Sequence, residues 1–135
     1  MVDTNVLAGA LISSSGHNRT VLRVCFDGAV QPIIGEALFH EYEDVLGRET
    51  LFQTSPLSGK ERVRFFEAFL SICEWTQVYY LWRPNLRDEG DNHLIELAVA
   101  GAASVIVTNN VRDFRDAELR FTLIRVEEPN WLQWR

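Results

Sequence analysis

Short apolar runs alternate along this chain with longer stretches of helical periodicity, the pattern of an α/β fold built on a parallel sheet. Five runs read as strands: Met1–Val6, Val30–Ile34, Val78–Trp82, Ser104–Thr108 and Phe121–Val126. The fourth, SVIVT, is the clearest, being short, β-branched and apolar until Thr108, as a central parallel strand should be. Helices are predicted over Arg19–Asp27, Glu36–Gly47, Ser58–Glu74 and Asp91–Ala102. Gly28 closes the first of them as a C′ glycine, and Lys60–Arg64 form a charged entry to the third. Gln53–Gly59 and Arg83–Gly90 are rich in Pro, Ser, Gly and Asn and read as loops. The tail Glu127–Arg135 predicts one short helical turn after Pro129, packing Trp131 or Trp134 onto the body.

The first strand carries a peculiarity. If Asp3 ends it, only Met1 and Val2 precede that acid, whereas a central strand usually has about five residues. Either the natural start lies upstream or the strand is short.

Length and composition narrow the class. A chain of 135 residues suits one domain spanning 1–135, large enough to bury a core without disulfides or a structural metal. A hydrophobic fraction of 47% and a charged fraction of 24% exclude a disordered or fibrous chain. Cys25 and Cys73 lie apart, with no C-x-x-C and no His cluster beside them, so they read as buried thiols of a reducing cytoplasm. No apolar run reaches about 18 residues and no secretory signal pattern opens the chain, so a cytoplasmic protein without membrane contact is expected. The net charge of -6 disfavours binding nucleic acid mainly by phosphate neutralisation, but suits an enzyme whose acids hold metal ions that meet the phosphate.

In open α/β sheets, sites form outside the carboxyl ends of the strands. Asp3 lies in the first strand, among Val2, Val6 and Leu7, where burial is costly unless the acid is paired, holds a metal or caps a following helical turn. On the Glu36–Gly47 helix, Leu38, Tyr42, Val45 and Leu46 form the apolar stripe, and Glu41 falls on its edge. Glu36 and Glu43 fall on the far face, and Asp44 lies farther from the stripe than Glu41. Asp88 and Asp91 open the last helix, whose stripe of Leu94, Ile95, Leu97, Ala98 and Ala102 runs back through Asp91. An Asp before an apolar helix is also a good N-cap, contributing about 1 kcal/mol, so one of the two caps while the other faces the site. Glu96 points away from the stripe and reads as surface. After SVIVT come Thr108, Asn109, Asn110 and Asp113, with Asp113 read as metal ligand, partner of a ligand, or turn former. Together these groups predict a carboxylate cup at one end of the sheet. Hard divalent cations take such oxygen donors, and hydrolysis of a phosphodiester is the chemistry most natural to the set.

Taken in order, D-T-N-V (Asp3–Val6), Glu41 within LFHEYEDVL, the run RDEGDNHLIELAVAGAASVIVTNN and then VRDF make the chain similar to the PIN-domain family. The resemblance covers essentially the whole chain and is closest to toxin components of toxin–antitoxin systems, relatives of the VapC group. It implies a three-layer α/β/α sandwich with a central parallel sheet of about four to five strands. It further implies a Mg2+- or Mn2+-dependent ribonuclease, a homodimer, and inhibition by a small antitoxin protein. Carried over by position, the metal-binding and catalytic acids fall on Asp3, Glu41 and Asp91, with Asp88 as auxiliary acid or cap and Thr108 as the hydroxyl after the fourth strand. Asn5 falls in a supporting position. Many members carry an Asp where this chain has Asn110, a neutral donor that would weaken a second metal position, and Asp113, one turn on, is the acid placed to substitute. This departure keeps open a non-catalytic module that binds RNA or a protein partner.

Other features fit less closely. A haloacid-dehalogenase-like phosphatase wants a second Asp two residues after the first, and that position is Asn5. A dinucleotide site is disfavoured because no Gly-rich loop follows the first strand. His17 in its loop and His40 beside Glu41 read as exposed, while His93 is a candidate contact to RNA or a partner. Trp75, Tyr79, Tyr80 and Trp82 read as core and dimer surface rather than as a base-stacking platform. Of thirteen basic residues only Lys60 is a lysine; Arg19, Arg23, Lys60, Arg62 and Arg64 are the candidates to steer RNA phosphate, with a solvated helix face as the alternative.

Overall fold

Extended backbone at the start of the chain gives way to helix at Asp3. In the computed structural model, which describes residues 1–13, 16–78, 92–114 and 124–130, Val2 pairs with Val107 in a parallel bridge. The Asp3 carboxylate then accepts the Thr4 amide and caps α1 (Thr4–Ile12). The expected strand Met1–Val6 is therefore corrected: it stops at Asp3, and the residues after it are helical. Residues TNVLAGALI are apolar on nearly every side, and Val6, Leu7, Ala10 and Leu11 are wholly buried, as a helix of that composition requires.

α2 (His17–Phe26) ends as its sequence predicts. Gly28 takes a φ of 82°, its amide bonds to the Cys25 carbonyl, and the Ala29 amide bonds to that of Val24. These are the paired bonds of a Schellman motif, for which a glycine at that φ is the usual choice. β1 (Ile33–Ile34) leads into α3 (Glu36–Leu46), which buries Leu38 and Tyr42. A 3-10 turn (Glu49–Phe52) precedes α4 (Gly59–Ile72), opened by a capping box between Ser58 and Glu61.

α4 ends earlier than expected, and the next strand starts earlier too. β2 (Glu74–Trp75) follows directly, held by Glu74 N–H to Pro32 O at 2.9 Å and Thr76 N–H to Ile34 O at 2.7 Å. The expected strand Val78–Trp82 is thus shifted: Val78 is not in a strand, and residues 79–82 lie outside the described residues. α5 (Asn92–Ala100) leads to β3 (Val105–Val107). A 3-10 turn (Val111–Phe114) and β4 (Arg125–Glu127) complete the order; Phe121–Leu123 and the tail tryptophans lie outside the described residues.

β1 pairs with β2 and β3 with β4, both parallel. With Val2 on its other side, β3 has a parallel neighbour on each flank, the central place its sequence predicts. This is an α/β fold with short parallel strand pairs. The main core joins Val2, Leu7, Leu22, Leu38, Tyr42, Phe69, Leu94, Ile106 and Phe114. Glu96 corrects a second expectation: only 5% exposed, it lies within an unbroken buried run from Leu94 to Ala98. α5 is covered on more sides than a single apolar stripe implies.

Tyr42 links the core to the site. Its hydroxyl, fully buried, donates to the Val2 carbonyl, tying α3 to the segment that carries Asp3. Tyr42→Phe is expected to destabilise the fold by about 1–2 kcal/mol, since a buried acceptor loses its donor. Urea melts should show a lower midpoint at an unchanged slope. An unchanged midpoint would show that the bond contributes nothing.

Candidate active site

Asp3 sits at the junction of the first extended segment and α1, and is 5% exposed. Each of its oxygens is held. Oδ1 accepts the Thr4 amide at 2.7 Å. Oδ2 accepts the Thr108 hydroxyl at 2.6 Å and the Asn5 carboxamide at 3.2 Å. Thr108 is wholly buried just past β3, so the strand's end and the helix's start meet on this one carboxylate. Burial pushes the Asp3 carboxyl above its ordinary value, against the opposing bonds from Thr108 and Thr4.

Glu41 faces Asp3 from α3. Its Oε1 accepts the Thr4 hydroxyl. Its Oε2 lies 2.7 Å from His93 Nε2, on α5. Thr4 thereby bonds both acids, one through its amide and one through its side chain. For Glu41 burial raises the carboxyl, but the bonds from His93 and Thr4 outweigh it and hold it below its ordinary range. Among the described residues, the buried His93 Nδ1 has no hydrogen-bond partner.

Asp3, Glu41, Asn5, Asn110 and Asp113 share the lining of one cavity of about 610 Å³. Asp113 stands on the 3-10 turn after β3, its amide bonded to the Asn110 carbonyl at 3.1 Å. The Asn110 amide in turn bonds to Thr108 Oγ1 at 3.0 Å. Asp88 and Asp91 lie outside the described residues. Among the described residues no group of three or more His, Cys, Asp or Glu side chains is gathered closely enough to hold a metal ion.

The basic candidates are placed differently. Arg62 is 7% exposed, with its guanidinium bonded to the Leu57 carbonyl and to Glu49 and lying over the Phe52 ring. It is used inside the fold rather than presented to phosphate. Arg19 lies over Phe65 and bonds to the Ser13 carbonyl. Arg23, Lys60 and Arg64 are exposed. None of these five lines the acid cavity; Arg48, which sequence reasoning passed over, does, and is ion-paired with Asp44 at 2.6 Å. His40 is exposed between Glu36 and Glu43, as expected. Thr4 was missed altogether, because nothing in a D-T-N-V run tells that its hydroxyl reaches an acid on another helix.

A family model described as PIN domain matches residues 1–112, from the Asp3 segment to the first residues of the 3-10 turn that follows β3. The chain belongs to the PIN-domain family. Comparison with curated proteins and with solved structures returned no match. PIN domains are generally nucleases and typically bind divalent metal ions. In this PIN domain the donor chemistry fits such an ion: the acids lining the cavity offer oxygen ligands, as hard cations need. The buried Asp3 carboxylate has no Lys or Arg ion pair among the described residues; its oxygens are met by the Thr4 amide and the Thr108 and Asn5 side chains. Among the described residues no helix is long and apolar enough to cross a membrane.

Proposed function

We propose that this PIN domain is a Mg2+- or Mn2+-dependent endoribonuclease, the VapC-like toxin of a toxin–antitoxin pair, acting in the cytoplasm. The observation that carries the reading is the pairing of a buried Asp3 and a half-buried Glu41 through Thr4, at the wall of an open cavity. Asp3, Glu41 and Asp91 would hold the ion, with Asp113 and the Asn110 carbonyl oxygen as further donors. A bound divalent ion supplies the positive charge that meets the phosphodiester and lowers the pKa of a water. Thr108 and Thr4 orient the Asp3 oxygens. His93 and Thr4 keep Glu41 ionised and aimed. Asp88 would serve as an auxiliary acid. Arg19, Arg23 and Lys60 stand as RNA contacts away from the cavity. The two parallel strand pairs belong to one sheet of four to five strands in an α/β/α sandwich, and the active form is a homodimer held in check by a small antitoxin.

One observation favours a second reading, a PIN module that binds RNA or a protein without cutting it: Asn110 lines the cavity where a carboxylate would strengthen metal binding. The test is cleavage of a broad cellular RNA pool by purified protein with Mn2+ or Mg2+, with EDTA, and beside an Asp91→Asn variant. Metal-dependent cutting that vanishes in both controls is expected. Folded, antitoxin-free protein that takes up Mn2+ poorly and cuts nothing would give the second reading the lead.

A further inference from the structure

Beyond the acids, an exposed line of carboxamides joins α1, α2 and the segment after β3. Asn109, after β3, donates its backbone amide to Asn5 Oδ1 at 3.2 Å. A backbone N–H can only donate, so that bond fixes which end of the Asn5 carboxamide is oxygen. Its Nδ2 is then the end left to reach Asp3 Oδ2. The Asn109 side chain repeats the instruction: its Nδ2 lies 3.2 Å from Asn5 Oδ1 and 3.1 Å from Asn18 Oδ1. Asn18 belongs to α2, Asn5 to α1, and Asn109 follows β3, so three elements are joined on the way to one carboxylate.

The far end of the line depends on a missing side chain. A Cβ built on Gly9, inside α1, would lie 2.2 Å from Asn18 Nδ2. A glycine in a helix interior costs about 1 kcal/mol relative to alanine, and here the cost leaves the room in which the Asn18 carboxamide lies.

We infer that Asn18 and Asn109 are positioning residues that orient the Asp3 carboxylate through Asn5, and that Gly9 is the gap that seats Asn18. The inference rests on the reading of Asp3 as a metal ligand. Gly9→Ala removes a helix-destabilising residue, and the atom it displaces is the tip of a side chain, so the fold survives while the line is cut.

The experiment measures Mn2+ affinity by calorimetry, the thermal midpoint, and the Asn5 side-chain amide resonance in the metal-free protein, for native, Gly9→Ala, Asn18→Ala and the double variant. Each single variant is expected to lose about tenfold in Mn2+ affinity, the low end of the effect of partners that orient metal ligands. Gly9→Ala should keep or raise the midpoint, and the double variant should lose no more than either single one. Native-like Mn2+ affinity in both single variants overturns the inference, as does an additive double variant. Should the native protein take up no Mn2+, the metal reading itself fails, and the Asn5 resonance decides the line: a shift in Asn18→Ala supports it, and an unmoved resonance overturns it.

Discussion

Asp3→Asn is expected to reduce RNA cleavage on the order of a thousandfold while leaving the chain folded. Asparagine is as good an N-cap as aspartate, and its oxygen can still accept the Thr4 amide that starts α1. What the variant removes is the charge, together with the Oδ2 acceptor that the Thr108 hydroxyl and the Asn5 carboxamide use. Burial raises the Asp3 carboxyl in the folded chain above its unfolded value of about 3.9. The folded state therefore holds that proton more tightly than the unfolded one, and the stability linked to this group is lost as pH rises through the folded value. Asparagine has no such titration. In EDTA, the midpoint of the variant minus that of the native chain should grow more positive as pH rises through the Asp3 titration. Added Mn2+ should then stabilise the native chain and not the variant, because only the former has the full ligand set to link to folding. Thermal scans over pH, with and without Mn2+, read both effects. Cleavage within tenfold of native by a folded variant would remove Asp3 from the chemistry.

The same residue shows where sequence reasoning reaches its limit. A strand-end acid and an N-cap looked like alternatives for Asp3, yet it accepts the Thr4 amide and lines the cavity at once. α1 was unreadable as a helix because its apolar residues fill every side, so no 3.6-residue stripe stands out from a strand-like run. α3 and α4 keep polar faces and were legible nearly to the residue, as was SVIVT, buried between two parallel neighbours. β2 was illegible for the opposite reason: two exposed residues directly after a helix carry no alternation, and their pairing is made by backbone atoms. Glu96 failed because a stripe describes one packed face, and α5 has more than one. Within the site, strand-end and stripe-edge positions led to Asp3 and Glu41, but the Thr4 hydroxyl and the Asn18–Asn109 line join residues far apart in the chain, which no local pattern encodes.

Glu41→Gln is expected to lower cleavage on the order of a hundredfold, with a matching loss of Mn2+ affinity. Glutamine keeps an oxygen for the Thr4 hydroxyl but turns an amide toward His93, where the native carboxylate accepts. Its pH signature should run opposite to that of Asp3→Asn. Burial raises the Glu41 carboxyl, yet the bonds from His93 and Thr4 carry it below its ordinary value. The unfolded chain then binds that proton more tightly, so the stability from Glu41 is present above the unfolded value of about 4.3 and is lost as pH falls through the folded one. The Gln variant should be less stable than the native chain at neutral pH, and the gap should close in acid. Two acids sharing one threonine are thus expected to give midpoint differences, variant minus native, that move in opposite directions as pH rises in metal-free buffer: upward for Asp3→Asn and downward for Glu41→Gln. Movement in the same direction would mean that Thr4 and His93 do not separate the two environments.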